Sequence, residues 1–338
     1  MKKMISLAMA LMLLMSILAV PAMADDYTVG TLSYLNMSEE DNTNGAAIRR
    51  PMMKFLFLDG VIKEETDGVL ANNPVFVYYD SLNELLLALE AGKLNAIKVP
   101  YYTAKYLRAT NDKLSMTVEY HPEKATGISE LALSLISDGY SFLLKNDHTE
   151  LRDEVDSQIT AMKADGTLQK LIDEHIIQVA EGGEPVAVQF EQFEGEPIRI
   201  GVTGDLPPMD YVAADGSFAG FNTAVLAEIG RRLQKNIELV QVNSVARALA
   251  LAEGKVDMVF WTRSTSEDLV EHRRNGDNME DLFAKALESM TDEQKAILDA
   301  DGLPEREDIK DIITRDRPAD TIITQPYFTD FGARVVMK

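Results

Sequence analysis

Asp205 and Asp210 lie five residues apart in the stretch Asp205-Leu206-Pro207-Pro208-Met209-Asp210-Tyr211. Two carboxylates so placed could serve acid–base catalysis or contact a polar ligand. Nothing in the sequence points to a perturbed pKa, so ligand contact is the expectation. Further along, Trp261-Thr262-Arg263 closes an apolar run with an indole, a hydroxyl and a guanidinium. Other chemistries find little support. His121, His148, His175 and His272 are scattered in polar contexts without metal-ligand spacing, and surface positions are expected for them. No Gly-x-Ser-x-Gly is present. Asp299-Ala300-Asp301-Gly302 starts like a calcium loop, but the later ligands do not fall in place. The chain has no cysteine, which excludes disulfides, thiolate metal sites, cysteine nucleophiles and a lipid-modified cysteine. No metal and no cofactor is expected.

The elements around these residues alternate. Ile198 to Val202 reads as a strand, Ala224 to Leu233 as a helix ending in Arg231-Arg232, and Ile237 to Val242 as a second strand. Val245 to Glu253 reads as a second helix stopped by Gly254, and Val256 to Trp261 as a third strand, apolar except at Asp257. Such alternation implies a parallel, doubly wound α/β sheet. Ligands bind such sheets at the carboxyl ends of the strands. Here those ends are 205–211, Asn243-Ser244 and Trp261-Thr262-Arg263.

The stretch 198–261 resembles the first lobe of extracytoplasmic solute-binding proteins of the amino-acid type (family 3). The resemblance rests on Asp205, Pro207, Pro208 and Tyr211, then Asp215, Gly216, Gly220, Phe221 and Asn222, then Leu249, Gly254, Lys255, Val256 and Asp257. It implies a periplasmic-binding-protein-like fold, with two doubly wound lobes joined by a hinge and a ligand held between them. It also implies the ligand-binding set Asp205, Tyr211, Trp261, Thr262, Arg263 and Thr265. An aromatic would stack on the ligand and an arginine in Thr-x-x-Arg would take an α-carboxylate. That arginine is not met: Asp268 stands at its position, and Arg263, five residues earlier, is the candidate replacement.

Residues 25–180 resemble the second lobe of the same family. The matches are Ala88, Leu89, Gly92, Lys93, Asn95 and Ala96; Ala104, Tyr106 and Leu107; Lys145 and Asp147; and Asp165, Gly166, Thr167, Leu168 and Ile172. The segment LLLALEAGKLNAI (85–97) aligns without gaps to RALALAEGKVDMV (247–259), an internal repeat. Residues 181–197 are rich in Gly, Pro and Glu and read as a linker or hinge, with Val186 to Phe190 as a candidate crossing strand. The unit 198–338 is a first-lobe-like domain whose acidic segment at about 268–320 reads as a helical insertion; Thr321 to Thr324 and Phe331 to Met337 supply strands after it. Second-lobe-like material thus precedes a first lobe. Either the halves complete one clamshell in permuted order, or the chain holds parts of a truncated tandem; the first reading is preferred because it supplies the closing wall.

The 338 residues suit two lobes, and 33 basic against 55 acidic residues give a net charge of −22. That charge argues against nucleic acid and against anionic membranes as partners. Residues 1–24, with Lys2-Lys3, an apolar run from Met4 to Val20 and Ala22-Met23-Ala24, read as a secretory signal peptide cleaved after Ala24. The expectation is a periplasmic protein that captures a small polar solute, an amino acid or a relative, for an inner-membrane ABC permease. It would do no chemistry and insert in no membrane after cleavage. Two alternatives remain: a sensory or interaction protein with a decayed site, and a periplasmic dehydratase or lyase on the same scaffold.

Overall fold

The computed structural model describes residues 27–32, 52–64, 74–213, 215–243, 246–263, 288–301 and 320–338, with the single positions 285 and 318. The signal-peptide segment, the first part of the helix expected from residue 46, and Thr265 lie outside the described residues, as does most of the 268–320 insertion.

The elements are β1 (Tyr27–Leu32), α1 (52–58), β2 (Ile62–Glu64), β3 (Pro74–Tyr79), α2 (Leu82–Glu90), β4 (Ala96–Pro100) and α3 (Tyr101–Thr110). Next come β5 (Leu114–Met116), β6 (Val118–Tyr120), α4 (Ile128–Ile136), β7 (Ser137–Lys145), α5 (Thr149–Ala164) and α6 (Thr167–Ile172). After residue 197 follow β8 (Ile198–Val202), β9 (Asp205–Leu206), β10 (Asp210–Val212), β11 (Phe218–Ala219), α7 (Phe221–Leu233), β12 (Ile237–Gln241) and α8 (Arg247–Ala252). The chain ends with β13 (Met258–Arg263), α9 (Asp292–Asp301), β14 (Thr321–Ile323) and β15 (Phe328–Met337).

Ten of the strands form one curled sheet made of two sets with the same plan, while β9-β10-β11 and β2-β6 pair separately. One set runs β3-β1-β4-β15, with β5 on β15; the other runs β12-β8-β13-β7, with β14 on β7. In each set the first three strands are parallel and the fourth is antiparallel. The sets meet on β15. Its Phe328–Phe331 pair with β7, and its Gly332–Val335 pair with β4. β7 and β15 are therefore the crossing strands. Val186 to Phe190, expected in that role, has no regular structure. The boundary expected near residue 180 also differs from the exchange between strand sets, because β7 (Ser137–Lys145) already pairs with β13 and β14 of the later half.

The internal repeat is visible in hydrogen bonds. Helices α2 and α8 both end on a left-handed glycine, Gly92 at φ +67 and Gly254 at φ +69, where a side chain would be strained. Lys93 N–H donates to Ala88 O at 3.0 Å, and Lys255 N–H to Ala250 O at 2.9 Å, closing each helix in the same way. Asp257, the lone polar residue ahead of buried β13, is held by Arg199, whose Nη2 and Nε reach its carboxylate at 2.8 and 3.2 Å.

One expectation about polar residues needs correction: His175 is 5% exposed, within a π-helical turn at Asp173–Ile177, and burial pushes its pKa down. Arg232, near the end of α7, donates to Glu228, Asp165 and Thr167. The described part of the insertion forms a capping box: Thr291 N–H donates to Gln294 Oε1 at 2.9 Å, and Gln294 N–H to Thr291 Oγ1 at 3.2 Å. Gln294 Nε2 also reaches Asp59 Oδ1 at 3.0 Å, tying α9 to the turn after α1.

Between the two sets the core is aromatic. Phe142 of β7 stacks on Tyr327 at 4.9 Å and meets Phe260 of β13 at 5.4 Å, while Phe221 of α7 meets Phe328 of β15 at 5.3 Å. Gly220 sets the entry to α7. It sits at φ +103, and a Cβ there would lie 2.7 Å from Met209 O and 2.8 Å from Pro208 O. Gly220→Ala is expected to cost about 3 kcal/mol, read as a lowered midpoint in chemical denaturation.

Candidate functional site

The site begins where β8 ends. The chain turns at Thr203-Gly204, runs back through the short antiparallel ribbon β9-β10-β11, and enters α7. Asp210 fastens this turn: its Oδ2 accepts from Thr203 N–H at 3.2 Å, Gly204 N–H at 3.3 Å and the Thr203 hydroxyl at 3.3 Å. Pro207-Pro208 is a cis peptide. The carbonyls of Pro208 and Met209 then accept from the first amides of α7, Phe221 N–H at 3.0 Å and Asn222 N–H at 2.8 Å. This fixes Asn222, whose Oδ1 accepts from Tyr327 O–H at 2.8 Å, with both residues buried. Tyr327→Phe should therefore cost about 1–2 kcal/mol in denaturant unfolding, the range for a buried hydrogen bond that leaves its partner unsatisfied.

From the other side comes Arg247, in the first turn of α8. It is 6% exposed, its Cζ lies 5.2 Å from the centre of the Trp261 ring, and its Nη1 donates to Phe260 O at 2.9 Å. Tyr140, Gly201, Thr203, Leu206, Asp210, Asn222, Arg247, Phe260, Trp261 and Thr262 surround a cavity of about 30 Å³. That is room for about two waters. It sits at the carboxyl ends of β8 and β13, the place that a doubly wound sheet reserves for ligands.

The two carboxylates are perturbed, contrary to the sequence expectation. Burial pushes Asp210 up to about 6, against hydrogen bonds from Gly204 and Thr203 that favour its charged form. Burial also raises Asp205, opposed by the Thr203 hydroxyl, the Leu82 amide and the charge of Arg247. Leu82 is the first residue of α2, in the other strand set, with Ser81 as its cap. Asp205 thus reaches from one half of the fold to a helix N-terminus of the other, where a carboxylate is favoured. On the crossing strand, buried Asp330 likewise accepts from Tyr102 N–H at 3.4 Å, at the start of α3, and burial holds its carboxyl well above the usual range.

Of the residues expected from sequence, Trp261 and Thr262 line the cavity. Asp205 stands beside it, half-buried, close to Arg247. Tyr211 is half-buried on β10, is not among the lining residues and lies near Tyr106 of α3, and burial raises its phenol. Arg263 ends β13, its backbone paired with Gly139. Thr265 lies outside the described residues. Sequence reasoning missed Thr203, Tyr140, Asn222 and above all Arg247 as lining residues. Among the described residues no group of His, Asp and Glu could hold a metal ion, and no helix is long and apolar enough to cross a membrane.

Residues 198–269 match the family model of bacterial extracellular solute-binding proteins, family 3. No curated protein matches the chain by sequence. Among solved structures, the zinc-bound ligand-binding component of an ABC-type import system from Staphylococcus aureus shares 9% identity over 93% of this chain and 66% of its own, with a TM-score of 0.33. The GluR0 ligand-binding core from Nostoc punctiforme in complex with L-glutamate shares 10% identity over 92% and 85%, also at 0.33. A phosphate-binding protein of a phosphate ABC transporter from Streptococcus pneumoniae shares 10% identity over 93% and 90%, again at 0.33. Scores of this size carry no argument about ligand or mechanism. Apart from Tyr140 of β7, the turn, ribbon and strands that build the cavity lie in the stretch 198–269, which is similar to the bacterial extracellular solute-binding proteins, family 3.

Proposed function

We propose that the protein captures a small polar solute between two lobes, one built on β1 and the other on β8, and delivers it to an ABC permease. On this reading the chain is a single clamshell in permuted order, with β7 and β15 as the hinge strands. It is secreted to the periplasm by residues 1–24 and performs no chemistry. The observation that carries the reading is the convergence of Asp210, Asn222, Arg247 and Trp261 at the strand ends, with Asp205 reaching across to Leu82 of the opposite set. Bending at the two crossing strands would open that contact and admit a solute larger than the present cavity.

Thermal unfolding against amino acids, amines, oligopeptides and sugars tests it. A true ligand at about a thousand times its dissociation constant adds roughly 4 kcal/mol and raises the melting temperature. A cooperative melt indifferent to every solute would count against capture and favour a sensory or interaction role.

One observation favours a second reading. A cleft carboxylate raised to about 6, as Asp210 is, also suits a general acid or base near neutral pH. Conversion of a bound solute, followed by NMR and lost in Asp210→Asn, would identify an enzyme; recovery of the solute unchanged identifies a carrier.

A further inference from the structure

The charges in the cleft are unevenly matched. Among the described residues, its two positive features both act on Asp205: the charge of Arg247, and the amide of Leu82 at the N-terminus of α2. Arg247 is further engaged by Phe260 O at 2.9 Å and by the Trp261 ring. The places where a ligand's carboxylate would be taken are thus already served by a carboxylate of the chain itself. Asp210 has no such counterpart. Its Oδ2 holds three donors of the Thr203-Gly204 turn, while its Oδ1 is buried and finds no donor among the described residues. The residue is 3% exposed and borders the cavity. Asp205 Oδ1 is likewise buried without a donor among the described residues. The two carboxylates are close enough for the charge of Asp205 to raise Asp210. Among the described residues, two carboxylates stand near one guanidinium, which leaves one negative charge to be met. Buried acceptor oxygens without donors are costly until a donor arrives. The other lining residues carry no charge: Gly201, Leu206, Tyr140, Phe260 and Trp261 are apolar or aromatic, and Thr203, Asn222 and Thr262 are neutral and polar.

We propose that the solute is a compact amine, a monocation that offers its protonated nitrogen to Asp205 Oδ1 and Asp210 Oδ1 and brings no carboxylate for Arg247. This rests on the solute-capture reading above and departs from an amino acid as the ligand.

Calorimetric titration of the protein at pH 7.5 with ethanolamine, glycine and glycolate tests it: these are a cation, a zwitterion and an anion of similar size. Ethanolamine should bind, glycine at least tenfold more weakly, and glycolate not at all. Asp210→Asn should weaken ethanolamine at least tenfold while still melting cooperatively, and Asp205→Asn provides a second variant with the same expected loss. Glycine or glycolate binding as tightly as ethanolamine, or ethanolamine binding untouched by both variants, would overturn the amine assignment. A neutral sugar binding where ethanolamine does not would overturn the assignment and leave solute capture standing. Failure of every solute would overturn both.

Discussion

Asp210→Asn is expected to be more stable than the natural protein at pH 8, by about 2 kcal/mol, and no more stable at pH 4. The sign follows from linkage. Burial lifts the folded-state pKa of Asp210 from 3.8 to about 6. A raised carboxyl pKa means that the folded state binds the proton more tightly than the unfolded chain. The stability this provides is fully present below pH 3.8 and is lost as pH rises through about 6. Two pKa units correspond to about 3 kcal/mol, from which the weaker acceptors of an amide subtract. The amide oxygen can still accept from Thr203 and Gly204, so the turn should persist. Denaturant unfolding of both proteins from pH 4 to pH 8 gives the result directly. A variant less stable by the same amount at every pH would mean that Asp210 is only a turn fastener. The expected pattern, stability gained where binding is lost, marks a group kept for its ligand rather than for the fold.

Arg247→Ala should have a large effect of opposite sign, a loss of about 3 kcal/mol at pH 8. The side chain is buried, lies over Trp261 and donates to Phe260 O. Its removal leaves that carbonyl without its donor and takes a compensating positive charge from near the half-buried Asp205. The loss should shrink as pH falls and Asp205 takes up a proton, since the variant raises a pKa that burial has already raised. Arg247→Lys should not restore stability, because an ammonium cannot both lie flat on an indole and reach the carbonyl. A loss independent of pH would show that Arg247 acts through packing alone.

Much of this site is legible in the sequence, and the reason is local. Asp205, Trp261 and Thr262 stand at the ends of strands whose alternation with helices already says where a ligand goes. Gly92 and Gly254 end equivalent helices because only glycine relaxes at their backbone angles, so the repeat can be read letter by letter. Arg247 could have been found from that repeat. It aligns with Leu85, a leucine with no exposed surface, and a charge in the place of a core leucine signals a buried partner. Asn222, Tyr140 and Tyr327 give no such signal, since their roles depend on segments 105 or more residues apart meeting across the sheet. The raised pKa of Asp210 is hidden for the same reason: burial is a property of the folded molecule. The exchange of crossing strands is similarly invisible, because β7 reads as an ordinary strand until it is seen pairing with β13.

The most direct test uses the chain's single tryptophan. Trp261 lines the cavity and carries Arg247 on its ring, so its fluorescence reports on the site alone. Any solute that raises the melting temperature should shift or quench this emission, with saturation at one equivalent per chain and with the same dissociation constant as the thermal effect. A solute that stabilises the protein and leaves Trp261 emission unchanged would be bound elsewhere, and would contradict capture between the lobes.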